Sequence, residues 1–142
     1  MAFEDFTIDK INEISKDTMP EFMGIEFTEI GEDFIKAKML VTNKVVQPMR
    51  LLHGGASVAF AETMGSIMGL MCVPNYNTHT VVGLEINANH IRGVKEGKMV
   101  YAVCTPLHIG RTTIVCEIKI NNEQEKLVCM SRITLAVIPI NK

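Results

Sequence analysis

One acidic side chain is isolated in the middle of this sequence. The 34-residue segment Leu51–Leu84 contains a single charged residue, Glu62, whereas the overall charged content of 21% would give about seven. An unpaired carboxylate with few polar neighbours tends to have a raised pKa, which suits it to act as a general base or a nucleophile near neutral pH. We therefore take Glu62 as the principal candidate catalytic residue.

A second group of candidates precedes Glu62. His53, Gly54 and Gly55 stand at the start of a predicted helix, where free backbone N–H groups and the helix dipole favour negative charge. Such donors can form an oxyanion hole for a polarised carbonyl. Gln47 lies six residues before His53, beside Pro48, and could hold a water or the carbonyl of a substrate.

These residues need a helix to carry them, and residues 55–71, GASVAFAETMGSIMGLM, favour one by length and composition. A helical wheel separates a bulky face from a small one that includes Glu62. The bulky face is predicted to pack in the core, and the small face leaves room for a close-packed neighbour or a ligand groove. The bulky residues are Phe60, Met64, Ile67 and Met71, and the small ones are Gly55, Val58, Ala59, Gly65, Ser66 and Gly69.

An ordinary solvent-facing glutamate is the alternative interpretation of Glu62. No Lys or Arg stands three or four residues away to form a pair on the helix, and the rest of this face carries no other charge. A solvated face would be rich in charge, so we favour the catalytic interpretation.

The rest of the chain is predicted to form strands. Alternation over Ile25–Thr42, with Gly31–Asp33 as the turn, predicts a hairpin. Four further β-branched runs predict a largely antiparallel sheet of five or six strands around one helix, an α+β architecture. These runs are Thr80–Arg92, Lys98–His108, Thr112–Asn121 and Lys126–Ile138. Residues 7–18 predict a short amphipathic helix that Pro20 should end.

Length and composition narrow the class of protein. A chain of 142 residues forms one core, so an active site would be shallow or shared between subunits. A net charge of −2 argues against nucleic acid as a partner. The N-terminal segment lacks the pattern of a signal peptide and no segment predicts a membrane span, so we expect a soluble cytoplasmic protein with no membrane partner.

Four cysteines are spaced too widely for a zinc motif. We predict buried free thiols, with no redox or metal role and no metal site. They are Cys72, Cys104, Cys116 and Cys129.

The run QPMRLLHGGASVAFAETMGS, from Gln47 to Ser66, resembles the signature of hotdog-fold acyl-CoA thioesterases of the PaaI-like type. These include 1,4-dihydroxy-2-naphthoyl-CoA and 4-hydroxybenzoyl-CoA thioesterases that use a catalytic Glu. The similarity extends from about Met23 to Val137 and includes VVGLEINANHIR and PLHIGR. It implies a single hotdog thioesterase domain over residues 1–142, with a sheet wrapped around a central helix.

The resemblance also implies roles for individual residues. Glu62 would be the base or nucleophile, and the N–H of Gly54 or Gly55 would polarise the thioester carbonyl. Gln47 and His53 would position the substrate or water, and a serine one turn beyond the glutamate would orient the attacking water; here it is Ser66. Water activation and an anhydride intermediate both remain open.

In the family two subunits pair with their sheets continuous, and Glu62 would face Gln47 and His53 of the partner chain. Such dimers commonly pair into tetramers, so the expected partners are an acyl-CoA substrate and further copies of the chain, with no cofactor.

The cations that would hold CoA phosphates come from two places in the sequence. His90 and Arg92 share a predicted strand, and His108, Gly110 and Arg111 belong to PLHIGR. Ordinary solvated charges or a hydrogen-bonded His are the alternative for these positions. Relatives often have an aromatic residue and Gly after the Gln-Pro pair, where this chain has Met49 and Arg50, so its acyl specificity is open.

Two other functions remain as alternatives. A hydroxyacyl dehydratase of the same fold also uses a His and a Glu, but the nine-residue interval from His53 to Glu62 does not match its longer spacing. A non-catalytic acyl-CoA-binding module would share the domain without turnover.

Overall fold

The computed structural model of the chain describes residues 3–140. A 3₁₀ turn at Phe3–Asp5 comes first. The three helices are α1 (Ile8–Ile14), α2 (Met19–Met23) and α3 (Gly54–Cys72). The six strands are β1 (Ile25–Ile30), β2 (Ile35–Leu40), β3 (His79–His90), β4 (Met99–Ile109), β5 (Thr113–Asn121) and β6 (Leu127–Pro139).

All six strands join one antiparallel sheet in the order β1-β2-β4-β5-β6-β3. Helix α3 lies across one face of this sheet and contacts strands β2, β4, β5, β6 and β3. The predicted α+β architecture, with five or six strands around one helix, is confirmed. The β1–β2 hairpin turns at Gly31–Asp33, as predicted.

The bulky face of α3 forms the centre of the core. Phe60, Met64 and Met71 are fully buried, as predicted, whereas Ile67 is only partly buried. Removing these side chains from water is the main force that holds the helix on the sheet, since each contributes about 1.5–3 kcal/mol of transfer free energy.

Two glycines of α3 allow the helix to approach β6 closely. A Cβ on Gly65 would come 2.4 Å from Cγ2 of Ile133, and one on Gly69 would come 2.3 Å from Cδ1 of Leu135. Both contacts are too short for a real side chain, so this part of the small face is filled by a close-packed neighbour and offers no groove there.

Pro20 begins a helix, so our prediction that it ends one is wrong. Helix α1 stops at Ile14, and Pro20 lies in the first turn of α2. Proline suits that position because its missing N–H would have no partner in the first turn. The chain then leaves α2 through Gly24, whose φ of 82° is the left-handed conformation of a helix C-cap.

Strand β3 contains a β-bulge, which changes whether its odd-numbered or its even-numbered residues face α3. Gly83 pairs with Leu135 and Glu85 with Thr134, so Leu84 is an extra residue without a partner. Before the bulge Val81 packs towards the core, and after it the even-numbered residues do, beginning with Ile86. Our reading of the strand did not predict this bulge.

The four cysteines are buried free thiols, so their predicted burial is confirmed. Helix α3 is long and apolar enough to cross a bilayer by length and composition alone, with a mean hydropathy of 1.2 over 18 residues. Half of that window is buried inside the protein, as in the core helix of a globular fold.

Candidate active site

His53 caps the N-terminus of α3 with its side chain. Its Nδ1 accepts the backbone N–H of Gly55 at 2.8 Å, so the proton of the neutral ring lies on Nε2, which is left to donate. The Gly55 N–H is therefore already satisfied. Among residues 3–140, the Gly54 N–H has no hydrogen-bond partner, so it is the donor left for a ligand.

Each of the two glycines lies beneath an imidazole ring. A Cβ on Gly55 would come 2.9 Å from Nδ1 of His53, and a Cβ on Gly54 would come 2.9 Å from Nε2 of His90. Any side chain at either position would push its ring away. The pair of glycines thus brings two histidines against the positive end of the helix dipole.

Gln47 lies in a tight loop that its own hydrogen bonds close. Its backbone N–H donates to the carbonyl of Leu51 at 2.8 Å, and its side-chain Oε1 accepts the N–H of Met49. This contact fixes the direction of the side-chain amide and leaves Nε2 to donate.

An ion pair ties this loop to the segment before β4. The guanidinium of Arg50 donates from Nε and Nη2 to the two carboxylate oxygens of Glu96, both at 2.8 Å. Arg50 has a φ of 63°, a left-handed conformation that disfavours a side chain by about 1–2 kcal/mol. The clamp holds the residue in that conformation.

Four of the predicted site residues border one cavity of about 320 Å³: Gln47, Gly54, His90 and Arg92. Ser57 also borders it, and our sequence analysis missed this buried serine because it lies among apolar helix residues with no distinguishing motif. The cavity brings together a free backbone N–H, an amide, an imidazole and a guanidinium, which suits a polar, anionic ligand.

We predicted that His90 and Arg92 share a strand, and this is wrong, because β3 ends at His90. The guanidinium of Arg92 donates to the carbonyl of Leu127 at 2.8 Å, which holds it beside the cavity. A single bond to a carbonyl leaves most of its donors available.

Glu62 lies on the flank of α3 that faces β3. Its side chain is partly buried, and among the described residues it belongs to no ion pair. Burial raises the pKa of the Glu62 carboxyl above its ordinary value, since loss of water disfavours the charged form. The raised pKa predicted from the sequence is confirmed. Ser66, one turn further on, is also only partly buried.

Glu62 and the helix start cannot act on one carbonyl within a single chain. Glu62 lies eight positions after Gly54 in the helix, an axial distance of about 12 Å. A general base must lie about 3 Å from the water it activates, and that water must touch the carbonyl. The structure therefore does not bring the predicted base and the predicted oxyanion donor together in one copy.

His108, Gly110 and Arg111 lie at the β4–β5 turn, near the opposite end of α3. The His108 ring packs on Gly110, where a Cβ would come 2.6 Å from Nε2. Arg111 borders a separate cavity with Asn75 and His79, just after α3 ends. In one chain this group is thus remote from Gly54. Among residues 3–140, no three His, Cys, Asp or Glu side chains are grouped for a metal ion.

Strand β3 forms an open edge of the sheet. It pairs only with β6, and none of its twelve residues is buried. Val82 and Leu84 are 43% and 64% exposed. An exposed edge with apolar side chains is a template for pairing with another chain.

Residues 49–129 match the family model described as the thioesterase superfamily. The chain belongs to the thioesterase superfamily. The match covers more than half of the sequence and includes α3 with Glu62, and it confirms the resemblance found in the sequence.

Close relatives agree with this assignment to the thioesterase superfamily. The chain is 44% identical over 132 residues to the 1,4-dihydroxy-2-naphthoyl-CoA hydrolase of Escherichia coli K12, covering 93% of this chain and 95% of the relative. It is 44% identical over 131 residues to the proofreading thioesterase EntH of Cronobacter turicensis, covering 92% and 93%.

A solved thioesterase structure shares the fold. The crystal structure of a thioesterase from Haemophilus influenzae matches with a TM-score of 0.91 and 44% identity, covering 96% of this chain and 94% of that one. The predicted hotdog fold is confirmed, and the chain is a hydrolase of thioesters.

Proposed function

We propose that this thioesterase hydrolyses the thioester of an aromatic or medium-chain acyl-CoA at a site shared by two copies of the chain. One copy supplies Gly54, Gln47 and His53, and the other supplies Glu62 and Ser66. The observation that carries this proposal is the axial distance of about 12 Å between Gly54 and Glu62 in one chain. The E. coli relative named as a hydrolase of an aromatic acyl-CoA supports the substrate class.

Pairing through β3 would complete the site. Two copies joined along this edge continue the sheet, and a two-fold axis sets their α3 helices antiparallel. The Glu62 flank of α3 lies on the β3 side, so it would face the partner. Pairing also covers Val82 and Leu84, the apolar side chains at the edge. Two dimers would form the tetramer that the family resemblance implies.

The chemistry follows from the free donors. The Gly54 N–H hydrogen-bonds the thioester oxygen and stabilises the negative charge that develops there. Gln47 Nε2 and His53 Nε2–H orient the carbonyl or the water. Glu62 of the partner takes a proton from water, which attacks the carbonyl carbon; the tetrahedral intermediate collapses and expels CoA thiolate, leaving the free acid. The raised pKa of Glu62 makes its carboxylate a better base.

Nucleophilic attack by Glu62 is the other route, through a mixed anhydride that water hydrolyses. A single turnover in oxygen-labelled water tests this route. Label found in Glu62 would identify an anhydride hydrolysed at its Glu62 carbon, whereas direct attack by water places the label only in the acid product.

The CoA phosphates need cations, and we propose two sources. His90 and Arg92 lie at the cavity beside Gly54. His108, Gly110 and Arg111 lie at the other end of α3, and an antiparallel pairing carries the partner's β4–β5 turn towards the end at which this chain has Gly54. We expect the enzyme to work in the cytoplasm, since its free thiols are normal for a reducing compartment.

Release of free thiol from aryl, short-chain and long-chain acyl-CoAs tests the activity. We expect wild type to hydrolyse at least one aromatic acyl-CoA, and Glu62→Ala to lose about 10²–10⁴-fold in kcat, the usual contribution of a general base. Binding without turnover across the panel would favour the non-catalytic binding module. Full activity of Glu62→Ala would exclude Glu62 as the base.

Mixed dimers test the shared site. Glu62→Ala and Gln47→Ala should each be nearly inactive alone. Coexpressed, they form mixed dimers in which one of the two sites keeps both residues, so about a quarter of the wild-type activity should return. If both residues acted in one chain, each chain of the mixture would still lack one of them and no activity would return.

A further inference from the structure

A second cavity opens on the other side of the α3 N-terminus. Its volume is about 440 Å³, and it lies between α2, the segment after β2 and the first turns of α3. The volume is within the range of about 300–1,000 Å³ found for small-molecule sites. Most of its lining is apolar and includes Met19, Phe22, Val46, Ala56 and Ala59.

This cavity adjoins the candidate active site. His53 and Gly55 border it, and Gly54, which stands between them in the chain, borders the polar cavity that includes Gln47 and His90. A thioester has two arms that leave its carbonyl in different directions. The polar cavity, which includes the Arg92 guanidinium, suits the CoA arm, so the apolar cavity is left for the acyl arm.

One cation lies at the mouth of the apolar cavity. The ammonium of Lys44 is 4.5 Å from the centre of the Phe22 ring, within the range of a cation–π contact. Lys44 takes part in none of the ion pairs formed by the described residues. Phe22 is 63% exposed, so a flat apolar group could cover its ring beside a charge that lacks an anion.

We propose that this cavity is the acyl subsite, and that Phe22 and Lys44 select an aromatic acyl group with a negatively charged oxygen at the end remote from the thioester. The apolar lining holds the ring, and the Lys44 ammonium pairs with the oxygen. The proposal rests on the proposed function, because it assigns the cavity to the substrate of that same site.

Two substrates that differ only in the remote charge test the role of Lys44. Wild type should have a higher kcat/KM for 4-carboxybenzoyl-CoA than for benzoyl-CoA. Lys44→Met should lower kcat/KM for 4-carboxybenzoyl-CoA about tenfold relative to kcat/KM for benzoyl-CoA, the loss of one charge-assisted contact. Phe22→Ala should raise KM for both substrates and leave kcat within about twofold, because the ring contributes packing to ground state and transition state alike.

The chain offers a matched control. The Lys36 ammonium is 4.9 Å from the Phe34 ring, a similar pair that lies on the β1–β2 hairpin away from the cavity. Lys36→Met and Phe34→Ala should change neither substrate preference nor KM. An equal effect of Lys36→Met and Lys44→Met would show a general loss of positive charge and overturn the proposal.

Binding separates this proposal from the proposed function. Phenacyl-CoA and 4-carboxyphenacyl-CoA are thioethers that cannot be hydrolysed, so calorimetry reports their affinities even if no thioester turns over. Lys44→Met should weaken only the carboxylated compound. An unchanged ratio of the two affinities would overturn the acyl subsite, whereas the expected ratio without any turnover would count against hydrolysis alone.

Discussion

The carboxylate of Glu62 lies directly over the α-carbon of Gly83, where a Cβ would come 2.5 Å from Oε1. No side chain fits between the helix and the strand at this point. The glycine therefore sets the position of the proposed base, although it lies 21 residues away along the chain.

Gly83→Ala should displace Glu62 and lower kcat. We expect a loss of at least about tenfold, because misplacing a catalytic group by about 1 Å can reduce the rate as much as a hundredfold. Thermal unfolding should show that the variant remains folded. The double variant with Glu62→Ala should be no slower than Glu62→Ala alone, since both changes remove the same function. Independent, multiplying losses would contradict this account.

Replacing Glu62 by glutamine should raise the stability of the protein at neutral pH. The folded protein raises the pKa of Glu62, so it binds that proton more tightly than the unfolded chain does. The free energy of unfolding of wild type therefore falls as the pH rises from the ordinary value of 4.5 through the raised pKa, and it remains lower at neutral pH. Glu62→Gln lacks this titration, so its Tm should exceed that of wild type at pH 7.

Below the ordinary pKa both proteins are neutral at this position, and the difference in Tm should shrink. Glu32→Gln, in the exposed β1–β2 turn, is the control for loss of one negative charge. A Tm of Glu62→Gln below that of wild type at pH 7 would show that the carboxylate is stabilised in the fold rather than strained.

The Arg50–Glu96 ion pair should support activity because it holds the backbone of Arg50 in its left-handed conformation. Glu96→Gln weakens the pair and should reduce kcat/KM by about fivefold or less, as expected for a partly exposed ion pair. Adding Arg50→Gly should restore much of the loss, since glycine adopts a φ of 63° without strain. Steady-state kinetics of the two variants checks this, and equal values would exclude a role for the backbone.

The cysteines should be chemically silent in the folded protein. Burial raises the pKa of the Cys72 thiol to about 12 and also raises those of Cys104 and Cys129. At pH 8 almost none of these groups is a thiolate, which is the reactive form. DTNB should therefore react with no thiol of the native enzyme and with four per chain in denaturant. Rapid reaction before unfolding would indicate an opening of the core near the end of α3.

The sequence was sufficient to predict the sheet, the central helix and the candidate base, because hydrophobic periodicity and one isolated charge report directly on burial. It did not predict that Pro20 lies in the first turn of α2, since proline is found both in the first turn of a helix and just after its end. It also left Gly54 and Gly55 equivalent. Only the side-chain cap from His53 distinguishes them, and that depends on a ring orientation that no spacing encodes.

The second cavity was harder to foresee. Phe22 and Lys44 are ordinary residues in the sequence, separated by the whole β1–β2 hairpin, and only the packing of α2 beside the start of α3 brings them together. Ser57 was missed for the same reason. Residues that act through long-range packing carry no local signal.

The bulge at Leu84 has an evolutionary consequence. Gly83 and His90 are seven positions apart, an odd interval that would place them on opposite faces of a regular strand. Because of the one extra residue, Gly83, which lies against Glu62, and His90, which lies against Gly54, are on the same face of the strand. Inserting or deleting a single residue between them should thus separate the two halves of the site, whereas gaining or losing two residues keeps the phase. Among homologues of this chain, length changes in β3 should come in pairs.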